Sequence, residues 1–365
     1  MGSSSIKLAV VSIDESFEIT PLATVSTSGG DHQQTIESLI DELNTKIDTS
    51  TLSAVGYRVV YGGQGQSGPQ DIDDSFIQRL QADNKLDPEH TVPFLKALEV
   101  VMTRFPDVRH VACYDTTFYN DLPRIAQLLP IPRQYQSDGL RRYGFHGLSY
   151  EYLLSAVKHE FGDVVAHGRI IFAHLGSGAS LTATKDMKPI DTTMGLTPAS
   201  GVVMSTRSGD VDTGLVWYLH KKYDMTIEQY NHMVNYESGL LGVSGSSADM
   251  HTLIDEASIR PESAEAVELF CYDVKKAIGA LSASLGGVDS LVFSGGIGEQ
   301  SSVLRKRICD GLEYLGIQID DEKNDRHELT ISVDGSGTGV HVFSTNESNV
   351  IARIAYQHIH QEETI

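Results

Sequence analysis

The sequence is poor in cysteine and in basic residues. Its 365 residues include only three cysteines (Cys113, Cys271 and Cys309), and no two of them form a CxxC pair. We therefore expect neither a disulfide-rich scaffold nor a structural zinc site, and a reducing, cytoplasmic compartment fits this usage. Lysine and arginine number 28 against 49 aspartate and glutamate residues, a formal net charge of −21. Such an acidic surface repels a polyphosphate backbone, so we expect no nucleic-acid partner.

Long apolar runs and the P-loop motif are also absent. No segment approaches the roughly 20 apolar residues of a membrane-spanning helix, and Met1, Gly2 and Ser3 lack the basic start of a secretory signal. We therefore expect no membrane association. No GxxxxGK followed by Ser or Thr occurs, which excludes a P-loop. A GxGxxG does occur at 63–68, but Pro69 follows it and no apolar helix opens there, so a surface loop is favoured over a dinucleotide site.

The length suits two domains of ordinary size, each with its own hydrophobic core. Runs rich in valine and isoleucine alternate with segments of helical periodicity, which is the pattern of an α/β fold. The predicted strands are 6–13, 55–61, 108–114, 170–175, 179–185, 291–294 and 340–344. Apolar stripes predict helices around 36–47, 263–285 (with Ser263 as its cap) and 303–315 (ended by Gly316). A final helix is predicted from about Glu347 to about Ile359.

Two glycine-rich loops follow predicted strands. Residues 294–299 (SGGIGE) lie between an apolar strand and a helix, and residues 174–178 (HLGSG) end another strand. Backbone N–H groups in such loops can approach a phosphate closely, although a plain connecting turn fits each loop taken alone. Residues 2–7 (GSSSIK) predict a similar turn near the N-terminus, followed by a strand. Because a phosphate-sized turn occurs in each half, the sequence favours a duplicated domain with a cleft between the copies.

Charged residues stand in or beside two of the apolar strands. Arg58 lies inside 55–61, where a guanidinium at a strand end can bind a carboxylate or phosphate with two hydrogen bonds; an edge strand with Arg58 in water is the alternative. Asp115 follows strand 108–114, where side chains face the ligand crevice of α/β sheets, although an N-cap is also common for aspartate. Arg207 lies in the polar turn 204–210. Taken alone, His146 is more typical of a structural histidine and Glu347 of a first-turn helix residue.

The order of eight segments carries a stronger signal than any single residue. They are GSSSIK (2–7), YRVVYGG (57–63), RRYGFHGLS (141–149), HLGSGAS (174–180), DTTMGLTP (191–198), MSTRSGD (204–210), FSGGIGE (293–299) and STNE (344–347). In this order the chain resembles the acetate kinase (acetokinase) family, from Gly2 to the last helix. The parts RRYGFHG, TMGLTP and TRSGD are specific to the family, whereas the glycine loops alone are not.

The resemblance implies an α/β protein of two duplicated ribonuclease H-like domains of the actin/hexokinase type, with an interdomain cleft. We expect an N-terminal acyl- and phosphate-binding domain over 1–145, completed by the C-terminal helix 347–365, and a nucleotide-binding domain over 146–346. The resemblance also implies a homodimer.

The implied reaction is the reversible transfer of the γ-phosphate of ATP to acetate, or a similar short-chain carboxylate, giving acetyl phosphate and ADP with Mg²⁺ or Mn²⁺. The resemblance assigns the metal to Glu347 and catalysis to four residues: Asp115, His146, Arg207 and Arg58. It assigns the acyl substrate to Arg58, Val60, His90, Phe145 and Pro198. It assigns the nucleotide and its phosphates to Ser5, Lys7, His174, Leu175, Gly176, Ser177, Gly178, Asp249, Met250, His251, Gly296, Ile297, Gly298, Glu299 and Gln300.

The sequence departs from the family pattern at several positions. The family has an apolar strand and Asn-Ala ahead of the first glycine turn, whereas Met1 here directly precedes Gly2. We expect a start site placed too far downstream or a trimmed chain; true loss of the strand and the asparagine is the alternative. Glu89 stands where the family has an apolar pocket residue, and Ser177 and His251 replace an asparagine and an arginine. Two alternatives to an ATP-dependent acetate kinase therefore stay open: a non-catalytic nucleotide-binding descendant, and an acyl kinase that uses pyrophosphate or polyphosphate.

Overall fold

The computed structural model describes residues 5–11, 19–26, 32–61, 68–82 and 88–361. Within these ranges the strands are β1 (Ser5–Val11), β2 (Ile19–Ser26), β3 (Ala54–Val59), β4 (Gln70–Asp71), β5 (Arg109–Tyr114), β6 (Ile170–Leu175), β7 (Ala179–Lys185), β8 (Lys188–Thr192), β9 (Ser290–Ser294) and β10 (Gly339–Val342). The helices are α1 (His32–Lys46), α2 (Asp74–Ala82), α3 (Pro88–Arg104), α4 (Arg124–Gln127), α5 (Arg133–Ser137), α6 (Gly147–Ala166), α7 (Leu215–Tyr223), α8 (Ile227–His232), α9 (Gly239–Ser244), α10 (Met250–Glu256), α11 (Pro261–Leu285), α12 (Gly295–Gln300), α13 (Ser302–Cys309), α14 (Asp321–Asp325) and α15 (Glu347–Gln361). The α/β prediction is confirmed.

The chain divides into two units. The first comprises Met1–Asn120, His146–Tyr152 and Asn346–Ile365, and the second comprises Asp121–Phe145 and Leu153–Thr345. The final helix α15 therefore joins the first unit. Segment 121–145, expected in the N-terminal domain, lies in the second unit, where Arg142 donates to the carbonyl oxygens of Thr192 and Thr193. Segment 146–152, expected in the nucleotide-binding domain, lies in the first unit.

The first unit is organised around two parallel strands. β3 pairs with β5 in a register that sets Arg58 beside Cys113, and β4 pairs antiparallel with the other edge of β5. Side chains of β5 alternate between two layers, as the strand period requires. Val111 and Cys113 pack with α15, whereas Ala112 and Tyr114 pack with the core under α2 and α3. Both faces of β5 are therefore covered, and its carboxyl end leads directly to Asp115.

The second unit contains a five-stranded sheet in the order β10-β9-β6-β7-β8. β7 runs antiparallel to both β6 and β8, and β9 and β10 lie parallel to β6 on its other side. The long helix α11 contacts β6, β7 and β8. β6, β7 and β8 follow one another directly, whereas β9 and β10 are reached through helices. This topology places the ends of β6 and β9 side by side.

Most predicted strands are confirmed to within a few residues, but β2, β4 and β8 were not predicted. The helix predicted over 303–315 is wrong in its extent, because α13 ends at Cys309 and Gly311 takes a left-handed backbone conformation (φ 85°). Ser263 is not the cap of α11: the helix begins at Pro261, and the Ser263 hydroxyl donates to Glu256 at 2.8 Å. Of the 63–68 loop, residues 63–67 lie outside the described residues.

One buried histidine of the second unit titrates abnormally. His341 lies on β10, 7% exposed, with its ring 4.4 Å from the ring of Phe161 and its Nδ1 3.0 Å from the hydroxyl of Thr330. Burial lowers the pKa of His341 to about 4, because the charged imidazolium loses its hydration there.

Among the described residues, no helix is both long and apolar enough to span a membrane.

Candidate active site

Arg58 lies between two carboxylates in the first unit. Its Nε and Nη2 donate to both oxygens of Asp115, the shortest distance being 2.7 Å, and its Nη1 donates to Glu347 Oε2 at 2.8 Å. The two strands explain the first pair: Arg58 is the penultimate residue of β3, and the backbone N–H of Asp115 donates to the carbonyl oxygen of Val59 at 3.0 Å. The sequence predicted both residues at the strand ends, and the structure brings them together.

Burial and pairing set the electrostatics of this cluster. The Asp115 side chain is 1% exposed, whereas those of Arg58 and Glu347 are 20% and 23% exposed. Burial raises the pKa of Asp115, and the charge and hydrogen bonds of Arg58 oppose that rise. Burial alone would lower the pKa of Arg58, but the charges of Asp115 and Glu347 outweigh it and raise that pKa. The two-point hydrogen bonding is the geometry of an ionised pair.

Glu347 is fixed from two sides. It opens α15, and its Oε1 accepts a hydrogen bond of 2.5 Å from the hydroxyl of Ser149, while its Oε2 accepts from Arg58. Ser149 lies in the first turn of α6 and is fully buried. Local sequence gives no signal for Ser149, because a serine just inside a helix is ordinary and its partner lies 198 residues further along the chain.

The start of α6 is tied to the Asp115 backbone. The N–H of Gly147 donates to the carbonyl oxygen of Asp115 at 2.9 Å, and a Cβ at Gly147 would lie 2.1 Å from that oxygen. His146, just before α6, is buried and takes a left-handed backbone conformation with φ 59°, which is uncommon for a residue with a side chain. The backbone of predicted catalytic residue His146 is therefore adjacent to that of Asp115 in space.

The carboxylate oxygens of this cluster are the kind of ligand that a hard divalent cation prefers. Mg²⁺ in phosphate-transfer sites is bound by one or two carboxylates together with water and substrate phosphates. The described residues hold no group of three or more His, Cys, Asp or Glu side chains placed to bind a metal ion. Arg58, Asp115 and Glu347 carry one positive and two negative formal charges. A divalent cation at Glu347 would reverse the net negative charge and favour an anionic substrate.

The second unit brings the two predicted glycine loops together. His174 and Leu175 end β6, and Gly176 and Gly178 form the turn to β7, with the N–H of Gly176 donating to the carbonyl oxygen of Gly178. β9 ends beside β6, in a register that sets Ser294 opposite His174, and α12 opens there. A Cβ at Gly295 would lie 2.6 Å from the carbonyl oxygen of Leu175. Ser177, Gly296, Ile297, Gly298, Glu299 and Gln300 thus belong to two adjoining segments.

The 204–210 loop that carries Arg207 adjoins the first of these segments. The N–H of Ser205 donates to the carbonyl oxygen of Ser177 at 3.2 Å, which ties this loop to the β6–β7 turn. Arg207 Nη1 donates to the carbonyl oxygen of Pro198 at 3.4 Å, so two predicted site residues are in contact. Gly239 has φ 61°, and a Cβ there would lie 2.1 Å from the carbonyl oxygen of Met204. The loop is therefore closely packed.

The predicted adenosine-contact residues occupy the start of α10. Asp249 is the N-cap of that helix, its carboxylate accepting from the N–H of Thr252 at 2.9 Å. That hydrogen bond lowers the pKa of Asp249. Met250 is buried, and His251 is 88% exposed with its Nδ1 3.2 Å from Asp255. Asp249 thus has a capping function of its own, and nucleotide contact by these residues stays a prediction.

The remaining predicted residues are spread over several elements. Val60 directly follows β3, and Phe145 is buried just before α6. Ser5 and Lys7 belong to β1, and His90 belongs to α3. Their roles toward substrate stay predictions.

A fully buried arginine supports the second glycine segment. Arg305 donates to the carbonyl oxygens of Gly298 and Glu299 at 2.9 and 2.8 Å, and to the side-chain and backbone oxygens of Asn324. Burial lowers the pKa of Arg305 to about 10. The burial of Arg305 could not be predicted from sequence, because a basic residue on an amphipathic helix normally faces water.

Comparison with known proteins shows the family of this chain. The sequence model of the acetokinase family matches residues 5–353. The chain is 41% identical over 332 residues to an acetate kinase of Rhodopseudomonas palustris, which covers 90% of this chain and 83% of the relative. It is 40% identical over 324 residues to an acetate kinase of Clostridium kluyveri, covering 87% and 80% of the two chains.

Solved structures give the same result. The chain matches the crystal structure of Porphyromonas gingivalis acetate kinase with a TM-score of 0.84 and that of a Francisella tularensis propionate kinase with a TM-score of 0.89. Each is 30% identical in sequence, and each match covers 98% of this chain and 97% of the solved one. These similarities support the duplicated ribonuclease H-like fold of the actin/hexokinase type. The chain belongs to the acetokinase family.

Proposed function

We propose that this protein is an acetate kinase-like transferase that moves the γ-phosphate of ATP reversibly to acetate, or to a similar short-chain carboxylate, giving an acyl phosphate and ADP. Membership of the acetokinase family supports this reaction class. The observation that carries the proposal is the position of Arg58 between Asp115 and Glu347 at the carboxyl ends of two parallel strands. Relatives named acetate kinase and propionate kinase both support a short-chain acid.

Arg58 and Arg207 are proposed to stabilise the negative charge of the substrates and of the transition state. A phosphoryl transfer leaves the protein little covalent chemistry, so catalysis is positioning and stabilisation of charge. Arg58 would bind the carboxylate substrate and Arg207 the transferring phosphoryl group, with His146 as a further donor to the transition state. A carboxylate substrate is already ionised at neutral pH, so the reaction needs no strong base.

Asp115 is proposed to position Arg58 rather than to remove a proton. Both of its oxygens already accept hydrogen bonds from the guanidinium, and its side chain is almost fully buried. A planar guanidinium held on one edge by a carboxylate cannot rotate freely about its side-chain bonds. Its remaining donors therefore keep a fixed direction, which is the preorganisation that charge stabilisation requires.

Mg²⁺ (or Mn²⁺) is proposed as the metal, with Glu347 as its protein carboxylate. When bound, the cation would offset the negative charge of the ATP phosphates. We further propose that the nucleotide phosphates bind at the two glycine segments of the second unit, that the enzyme acts in the cytoplasm, and that it forms a homodimer, as the resemblance implies.

Hydroxylamine trapping of acyl phosphate tests the function directly. Purified protein is incubated with Mg²⁺, a panel of acids of two to four carbons, and either ATP or pyrophosphate as donor. We expect trapped product with ATP and at least one acid, and a loss of about 100-fold or more in turnover for Arg207→Ala. Arg133→Ala, on the exposed surface of α5, is the matched control and should keep wild-type turnover. Folded protein that yields no acyl phosphate from any acid and donor would refute the proposed reaction.

A further inference from the structure

Ser149 and Arg58 hydrogen-bond different oxygens of the Glu347 carboxylate. Ser149 donates to Oε1 at 2.5 Å, and Arg58 donates to Oε2 at 2.8 Å. A guanidinium and a carboxylate otherwise tend to form a two-point pair with parallel hydrogen bonds. Arg58 already makes such a pair with Asp115 along its other edge. The serine therefore maintains a one-point contact between Arg58 and Glu347.

The backbone around Ser149 makes it a fixed donor. It lies in the first turn of α6, whose first residue, Gly147, donates to the Asp115 carbonyl oxygen at 2.9 Å. A Cβ at Gly147 would clash with that oxygen, so the helix start has almost no room to shift. Ser149 is fully buried, and its hydroxyl points to a side chain on α15. Its position is thus set by the same strand end that positions Asp115.

We propose that Ser149 is a positioning residue that orients the Glu347 carboxylate toward a divalent cation. This inference rests on the proposed function, in which Glu347 binds the metal. A carboxylate has about four lone-pair sites, so a cation can share an oxygen with either donor provided the carboxylate plane is fixed. Without the serine hydroxyl, Glu347 can turn to form a two-point pair with Arg58, which competes with the metal for both oxygens.

Metal affinity gives a test that does not depend on turnover. The probe is Mn²⁺, measured by electron paramagnetic resonance with the full chain in the presence of ADP. We expect Ser149→Ala and Ser149→Cys to weaken Mn²⁺ binding about 10- to 100-fold, as loss of an outer-shell hydrogen bond typically does. Glu347→Gln should weaken it at least as much. Ser155→Ala, on the same helix and only partly buried, is the matched control and should bind Mn²⁺ like the wild type.

Thermal unfolding of each variant separates positioning from simple stability. Ser149→Cys keeps a side chain of similar size, so it reports on the hydrogen bond if Ser149→Ala unfolds. Wild-type Mn²⁺ affinity in a folded Ser149 variant would overturn the proposal, whatever its melting temperature, and so would wild-type affinity in Glu347→Gln. Failure of the proposed function is a separate result: the wild-type protein would then make no acyl phosphate, while the Mn²⁺ comparison is still measurable.

Discussion

Replacement of Asp115 by alanine should destabilise the protein far more than loss of a surface carboxylate. Asp115 is 1% exposed and carries a two-point ion pair with Arg58. Removal of one partner of a buried pair typically costs about 3–5 kcal/mol, because the other charge is left without compensation. Arg58 retains Glu347 and is 20% exposed, so we expect a loss at the lower end, about 3 kcal/mol.

Urea unfolding followed by far-ultraviolet circular dichroism measures this loss. The matched control is Asp41→Ala in the same unit, which removes the partner of Arg104 from a pair whose side chains are 68% and 53% exposed. Exposed ion pairs contribute about 0.2–1 kcal/mol to stability, so Asp41→Ala should change the free energy of unfolding little. A double-mutant cycle with Arg58→Met isolates the coupling between the two buried side chains.

Equal stability of the Asp115→Ala and Asp41→Ala variants would show that the buried pair contributes no more than an exposed one. A cycle in which the losses of Asp115→Ala and Arg58→Met simply add would do the same, because additive losses mean no coupling between the pair.

Three further predictions concern backbone contacts and pH. Gly147→Ala should lower turnover by more than tenfold in the hydroxylamine assay, since its Cβ would lie 2.1 Å from the Asp115 carbonyl oxygen; wild-type turnover would contradict the contact. Gly239→Ala should lower turnover in the same assay and lower the melting temperature, because its Cβ would lie 2.1 Å from the Met204 carbonyl oxygen at φ 61°. Burial lowers the pKa of His341 to about 4, so the unfolded chain binds a proton at this histidine at higher pH than the folded protein does. The contribution of neutral His341 to the free energy of unfolding should therefore be fully present above about pH 6.5 and fall by up to about 3 kcal/mol towards pH 4. His341→Asn should flatten that dependence in urea unfolding at several pH values, and an unchanged slope would contradict it.

Local patterns were sufficient to predict the strand ends that carry Arg58 and Asp115. Both residues are charged and stand beside apolar runs, so each required either exposure to water or a partner that compensates its charge. In the structure, Arg58 and Asp115 are partners of each other. The pairing itself depends on the parallel register of β3 and β5, which residue patterns do not encode.

Contacts between residues far apart in the chain could not be predicted from local sequence patterns. Ser149 and Glu347 are 198 residues apart, and neither shows in its local sequence that it hydrogen-bonds the other. β8 was missed because its sequence, KPIDT, has few apolar residues and contains a proline. The early end of α13 followed from Gly311, which takes a left-handed conformation inside a stripe that still looks helical by period.

We propose that Arg58, fixed by Asp115 and Glu347, makes the phosphorylation of a carboxylate possible. The most direct measurement is the rate of hydroxylamine-trapped acyl phosphate with ATP, Mg²⁺ and saturating carboxylate for Arg58→Ala against the wild type. A missing charge donor at the transition state predicts a fall of about 100- to 1,000-fold in a variant that is still folded by circular dichroism. A folded Arg58→Ala protein that turns over at the wild-type rate would show that Arg58 does not assist the transfer.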